Sequence, residues 1–166
     1  MATPPPRSVE LHSTSPAETF QLGERLATRA EPGDLICLWG DLGAGKTVLA
    51  KGFGRGLGVV GTVSSPSFIL MAEHPGRLRL FHVDLYRLAD AGEAVAGGLV
   101  DERQADGVTL VEWPDRLGPT LPRERLDIRI SGVGDEPRRL RLEAVVPGLE
   151  RYLEVATAST VEPASA

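Results

Sequence analysis

The strongest chemical signal in the chain is Gly40-Asp41-Leu42-Gly43-Ala44-Gly45-Lys46-Thr47. It fits G-x-x-x-x-G-K-[ST], the loop that cradles a nucleotide's phosphates. Phosphate oxygens need several N–H donors at short range, and glycines let the backbone curl close without a Cβ in the way. The loop amides then form a concave anion nest, and a helix starting near Gly45 adds its positive end. Lys46 is the residue type to reach the β- and γ-phosphates as a point charge. The Thr47 hydroxyl suits Mg²⁺, a cation that prefers oxygen ligands and keeps some of its waters. The nucleotide-contacting set is therefore Asp41, Leu42, Gly43, Ala44, Gly45, Lys46, Thr47 and Val48.

The motif carries weight only between a strand and a helix. Both are expected here, because Leu35-Ile36-Cys37-Leu38-Trp39 is an apolar run and Val48-Leu49-Ala50-Lys51 begins a helical pattern. Two further strand-like runs end in acids. Leu78, Leu80, Phe81 and Val83 lead to Asp84, and Val108-Thr109-Leu110-Val111 leads to Glu112. Open α/β sheets bind ligands beyond the carboxyl ends of their strands, so Lys46, Thr47, Asp84 and Glu112 are expected to converge on one phosphate–metal site. Asp84 reads either as an acid that holds Mg²⁺ through water or orients the attacking water, or as a helix N-cap or turn residue. Trp113 either covers the site or packs beneath it. His82 reads as a packed strand histidine. The hydroxyls of Ser64-Ser65-Pro66-Ser67 are equally a γ-phosphate sensor or a surface turn.

The rest of the chain supplies the scaffold. Val9 to Leu11 reads as a short edge strand. Ser15, Pro16 and Glu18 make a helix start with a capping box, and Glu31-Pro32-Gly33 ends that helix. After the loop, Val48, Leu49, Phe53 and Leu57 recur at helical spacing. Gly52, Gly54, Gly56 and Gly58 cost about 0.5–1 kcal/mol each in a helix, so this one is expected to fray or end early. Their G-x-G-x-G pattern lacks the leading strand of a second phosphate loop. Residues 88–107 are acidic and rich in alanine and glycine, an irregular helix with loops. Leu126, Ile128 and Ile130, then Leu140, Leu142 and Ala144, alternate with polar residues around a turn at Ser131 to Pro137, which is a hairpin signature. A short helix is expected over 147–155. The organisation expected is a tail over 1–8, one domain over 9–155 and a tail over 156–166. The fold class is α/β, a P-loop NTPase with a mostly parallel central sheet flanked by helices and an appended C-terminal antiparallel hairpin.

Length and charge bound the function. At 166 residues the chain has room for one α/β domain. Its net charge of −5 is unlike a nucleic-acid footprint. The late arginines (among them Arg123, Arg125, Arg129, Arg138, Arg139 and Arg141) are interleaved with acids and read as a mixed, solvated face. The single cysteine, Cys37, allows no disulfide within the chain and sits in an apolar strand as a packing residue. No apolar run reaches membrane-spanning length, and Met1 to Ser8 lacks the apolar stretch of a signal peptide. The expected location is cytoplasmic.

Five blocks in order carry a family resemblance. They are Leu22-Gly23-Glu24-Arg25-Leu26-Ala27, Leu38 to Thr47, Val63 to Phe68, Phe81-His82-Val83-Asp84-Leu85-Tyr86-Arg87-Leu88, and Leu110-Val111-Glu112-Trp113-Pro114-Asp115. Together they cover roughly residues 10–146 and resemble the tRNA threonylcarbamoyladenosine biosynthesis ATPase family TsaE, also called YjeE. The resemblance implies a small ATPase that works with two partners, TsaB and TsaD, meets tRNA only through them, and spends ATP on resetting the complex. It implies that Thr47 and Glu112 hold Mg²⁺, that Asp84 lies near the metal, and that Ser65, Pro66 and Ser67 form a switch. It also implies an adenine pocket near Ser13 to Ser15, with Ser15 as a binding residue. The family's common T-S-P-T stands here as Ser64-Ser65-Pro66-Ser67, with each hydroxyl kept. Intrinsic turnover is expected to be slow, since Arg87 alone is a candidate arginine finger within the chain. Two other functions share the motif. One is a P-loop kinase for a small acceptor, although 88–107 has only Arg103 to serve as a lid arginine. The other is a nucleotide-dependent binding module without useful hydrolysis.

Overall fold

The computed structural model describes residues 7–61, 63, 71–87 and 105–158. In chain order its elements are β1 (Arg7–Ser13), α1 (Pro16–Ala27), β2 (Leu35–Trp39), α2 (Lys46–Gly56), β3 (Met71–His74), β4 (Arg79–Asp84), β5 (Gly107–Glu112), β6 (Leu126–Ser131), β7 (Arg138–Ala144) and α3 (Glu150–Ala158), with 3-10 turns at Pro114–Thr120 and Pro147–Leu149. The seven strands form one sheet in the order β1-β7-β6-β2-β5-β4-β3.

Burial explains that order. Leu35 to Leu38 of β2 and every residue of β5 are buried, as strands covered on both faces must be. These two pair in parallel at the centre, flanked in parallel by β6 and β4. β7 and the end of β6 bury alternate residues, with polar side chains on the other face. The expected antiparallel hairpin is present as β6 and β7, joined edgewise to the core. Its first strand belongs to the parallel core through β2, and its second carries β1 antiparallel at the edge. β1 starts at Arg7, so Arg7 and Ser8 pair with Ala144 and Glu143 rather than lying in a tail. At the other end α3 reaches Ala158, past the expected stop at 155, because Ala156 is fully buried against the core.

The three helices of the described residues pack on one face, where Leu26, Phe53 and Tyr152 meet Ile36, Leu110, Ile128 and Leu142. A smaller cluster of Cys37, Val83, Leu85, Val111 and Leu117 covers the opposite face at the centre. Burial pushes the Cys37 thiol far up, so it is inert. α1 begins as its sequence indicates, with Ser15 Oγ accepting the Glu18 amide at 3.2 Å. The return bond of the capping box is displaced by one residue. Glu18 takes the Thr14 amide at 2.7 Å, not that of Ser15.

The glycines of α2 overturn the expectation of fraying. The helix runs unbroken to Gly56 because α1 lies directly on it. A Cβ at Gly52 would sit 2.0 Å from the Phe20 carbonyl oxygen, one at Gly56 2.6 Å from the Glu24 carbonyl oxygen, and one at Gly23 of α1 2.4 Å from the Leu49 carbonyl oxygen. Backbone meets backbone there, and tertiary contact outweighs helix propensity. The Ser-Pro block, Ser64 to Ser67, and most of 88–107 lie outside the described residues. Gly52→Ala would gain stability in an exposed helix; here it is expected to lose about 1–3 kcal/mol, the usual cost of overpacking. Urea unfolding of the two proteins checks the sign.

Candidate functional site

Parallel pairing brings the ends of four strands to one edge. β2 delivers the phosphate loop there, β4 ends in Asp84, β5 in Glu112, and β6 in Ser131. β1 runs in the same direction as β6, so Ser13 and the start of α1 reach the same edge. The end of β2 is anchored from behind. Trp39 Nε1 donates to Asp127 Oδ1 at 2.9 Å, Arg125 Nε donates to the same oxygen at 2.9 Å, and the Arg129 guanidinium lies 4.3 Å from the centre of the Trp39 ring.

Loop geometry follows from its glycines. Gly43 and Gly45 have φ of 79° and 112°, which side chains disfavour. The Ala44 amide donates to Asp41 O at 3.1 Å, and the Leu49 amide to Gly45 O at 3.0 Å as the helix begins. The β7 residue Arg138 holds the loop from outside. Its Nε donates to Ala44 O at 3.0 Å, and one terminal nitrogen donates to Gly43 O at 3.2 Å and Gly134 O at 3.0 Å. With those carbonyls turned outward, neighbouring amides are free to face inward.

Two cavities flank the loop. The first, of about 290 Å³, is lined by Lys46, Thr47, Asp84, Tyr86, Glu112 and Trp113 together with Leu42, and shares Gly43, Gly45 and Val48 with the second. The four residues expected to converge thus share one cavity. The second, of about 270 Å³, brings Ser13 to Ser15 and Thr19 of the α1 start against Ala44, Gly134 and Arg138. Asp41 lines neither, and acts on Lys46 by charge.

The first cavity concentrates charge in a half-closed space. Lys46 is 5% exposed. Its Nζ donates to Gly40 O and sits 3.6 Å from the centre of the Trp113 ring. Burial lowers its pKa, opposed by Glu112, Asp84, Asp41 and Asp115. Trp113 is the one non-glycine residue with positive φ among those described, at 59°. Such a backbone costs of order 1–3 kcal/mol and persists only where its surroundings impose it. Its ring stands 5.0 Å from that of Tyr86. Trp113 therefore both packs and covers. Asp84 lines the cavity, and its Oδ1 accepts the Tyr86 amide at 3.0 Å as a turn residue would. Glu112, 3% exposed, is 2.6 Å through Oε2 from His82 Nε2.

Thr47, Asp84 and Glu112 offer only oxygen donors, a hard-cation set. Among the described residues no three His, Cys, Asp or Glu side chains form a closed cage. Mg²⁺ needs none, since it binds through one or two carboxylates plus phosphate oxygens and water. Arg87 is exposed and does not line the cavity. Sequence reasoning missed Arg138, Tyr86 and the His82 bond. Period-two alternation already put His82 on the face of Asp84; nothing local marked Arg138.

A family model described as threonylcarbamoyl adenosine biosynthesis protein TsaE matches residues 13–140. The chain belongs to the TsaE family. It is 41% identical to the tRNA threonylcarbamoyladenosine biosynthesis protein TsaE of Bacillus subtilis, over 84% of this chain and 87% of that one. It is 42% identical to the protein of the same description from Streptomyces coelicolor, over 80% and 92%. The crystal structure of Bacillus subtilis YdiB superposes with a TM-score of 0.75 at 33% identity, covering 95% of this chain and 99% of that one. Membership in TsaE assigns the chain a role in tRNA threonylcarbamoyladenosine biosynthesis and makes it a P-loop NTPase-type protein.

Removing the Arg138 fork should loosen the loop locally. Arg138→Met is expected to speed amide hydrogen exchange across Gly43 to Lys46 by roughly tenfold, equivalent to about 1.4 kcal/mol. Arg138→Lys should not restore protection, because an ammonium cannot span both carbonyls. Exchange followed by mass spectrometry checks both.

Proposed function

We propose that this chain binds ATP with Mg²⁺ at the phosphate loop and hydrolyses it as the ATPase subunit of tRNA threonylcarbamoyladenosine synthesis, in complex with TsaB and TsaD. The observation that carries the reading is the shared cavity, where Lys46, Thr47, Asp84 and Glu112 stand around a glycine loop held open by Arg138. The loop amides and Lys46 hold the β- and γ-phosphates. Thr47 and Glu112 hold the metal, which when bound neutralises charge developing on the phosphate oxygens. Asp84, at the carboxyl end of β4, orients the attacking water. The cavity by Ser13 to Ser15 accepts the nucleoside, with Ser15 at its rim.

The reaction is in-line displacement, in which positioning and charge neutralisation supply most of the rate. Among the described residues no arginine lines the metal-side cavity. That favours slow turnover by the isolated chain and completion of the site by its partners. A net charge of −5 agrees with tRNA being met through TsaB and TsaD. No helix of the described residues is long and apolar enough to cross a membrane, in keeping with a cytoplasmic location.

ATP hydrolysis by the chain alone and with TsaB and TsaD tests this reading. The rate should rise sharply with the pair, and Lys46→Ala should lower it roughly 100-fold or more. Glu112→Ala should weaken ATP binding in Mg²⁺ but not in EDTA. Equal hydrolysis with and without the pair would remove the complex from the proposal. Phosphorylation of an added acceptor would replace it with a kinase.

A further inference from the structure

We infer that His82 is the positioning residue for the Glu112 carboxylate, and so sets the divalent-cation affinity of the nucleotide site. This deepens the function proposed above and rests on it.

The placement comes from strand register. β4 and β5 run in parallel with Asp84 beside Glu112 and His82 beside Leu110. Alternation then puts Leu80, His82 and Asp84 on the same face as Val108, Leu110 and Glu112, under α2. His82 stands one step deeper in the sheet than Glu112, diagonal to it. Its bond reaches the carboxylate from the protein interior, while Asp84 faces Glu112 on the cavity side. One carboxylate oxygen is thereby held by the core, and the other is left for a ligand.

The bond is buried and short. His82 is 0% exposed, Glu112 3%, and Nε2 to Oε2 is 2.6 Å. With an ionised carboxylate as acceptor, Nε2 carries the hydrogen. The other ring nitrogen, Nδ1, has no hydrogen-bond partner among the described residues. An unsatisfied buried nitrogen costs stability. Its neighbours on that face, Leu80 and Leu110, show what packing alone calls for. The imidazole earns its place through Glu112. Partners that orient a metal's carboxylate ligand typically change metal affinity by about 10–100-fold when removed.

The test uses the full chain and measures ADP affinity by calorimetry in EDTA and across a Mg²⁺ titration. His82→Leu and His82→Asn both lose the donor at the Nε2 position; His82→Gln keeps an amide N–H near it. The Mg²⁺ needed for half the gain in ADP affinity should rise about 10–100-fold in the leucine and asparagine variants and return toward the parent value in the glutamine variant, with affinity in EDTA unchanged throughout. In a Glu112→Gln background, His82→Leu should add no further loss. An unchanged Mg²⁺ requirement in His82→Asn would overturn the inference, as would an equal loss of ADP affinity in EDTA, which marks a merely structural histidine. A parent chain whose ADP affinity ignores Mg²⁺ would instead sink the proposed metal site itself, and this inference with it.

Discussion

Parallel pairing of β2 with β5 and β6 is the constraint on which the rest of the molecule depends. Because the strands run the same way, their carboxyl ends finish together, and residues remote in sequence meet beyond them. The phosphate loop, Asp84 and Glu112 each lie at such an end. Parallel strands need long connections, and the one that leaves β2 supplies α2, which packs with α1 and α3 on one face. One geometric fact thus yields both the core and the cleft.

The cleft holds charges that a core would reject, and each is answered by structure. Lys46 is answered by the Gly40 carbonyl, the Trp113 ring and nearby carboxylates. Glu112 is answered by His82. Outside the cleft, Asp127, 1% exposed on the far side of the sheet, is answered in the same way by Trp39 and Arg125. Satisfied in this way, buried polar groups rigidify rather than destabilise. The loop is braced on three sides, by Trp39 at its root, Arg138 outside, and the glycine-lined contact of α1 with α2 beneath. These contacts within the protein fix its shape.

Much of this was legible in the sequence, for physical reasons. The phosphate loop is local, and its residue types follow from chemistry, so Gly40 to Thr47 could be read directly. Asp84 and Glu112 were legible because buried parallel strands read as apolar runs with a visible end. The hairpin turn was legible, but where β6 and β7 join the sheet was not, since alternation gives a strand's faces and not its neighbours. The glycines of α2 misled because propensity describes an isolated helix, whereas Gly52 and Gly56 are set by the Phe20 and Glu24 carbonyls of another element. Arg138 was invisible for a related reason, as its partners Gly43 and Ala44 are brought to it only by the fold.

The edge strand β1 carries a consequence for how the chain is made. Arg7 pairs with Ala144 and Ser13 with Arg138, so among the described strands the one earliest in sequence bonds to the one latest. β2 waits in the same way for partners at Thr109 to Glu112 and Leu126 to Arg129. β3, β4, β5 and β6 can all pair with one another or with β2 before β7 is made, whereas β1 must wait for it. Contacts so distant in sequence slow folding and leave apolar strands unpaired in the interval. For this architecture the vulnerable period is synthesis itself, when β2 is exposed on both sides and nothing yet exists to pair with it.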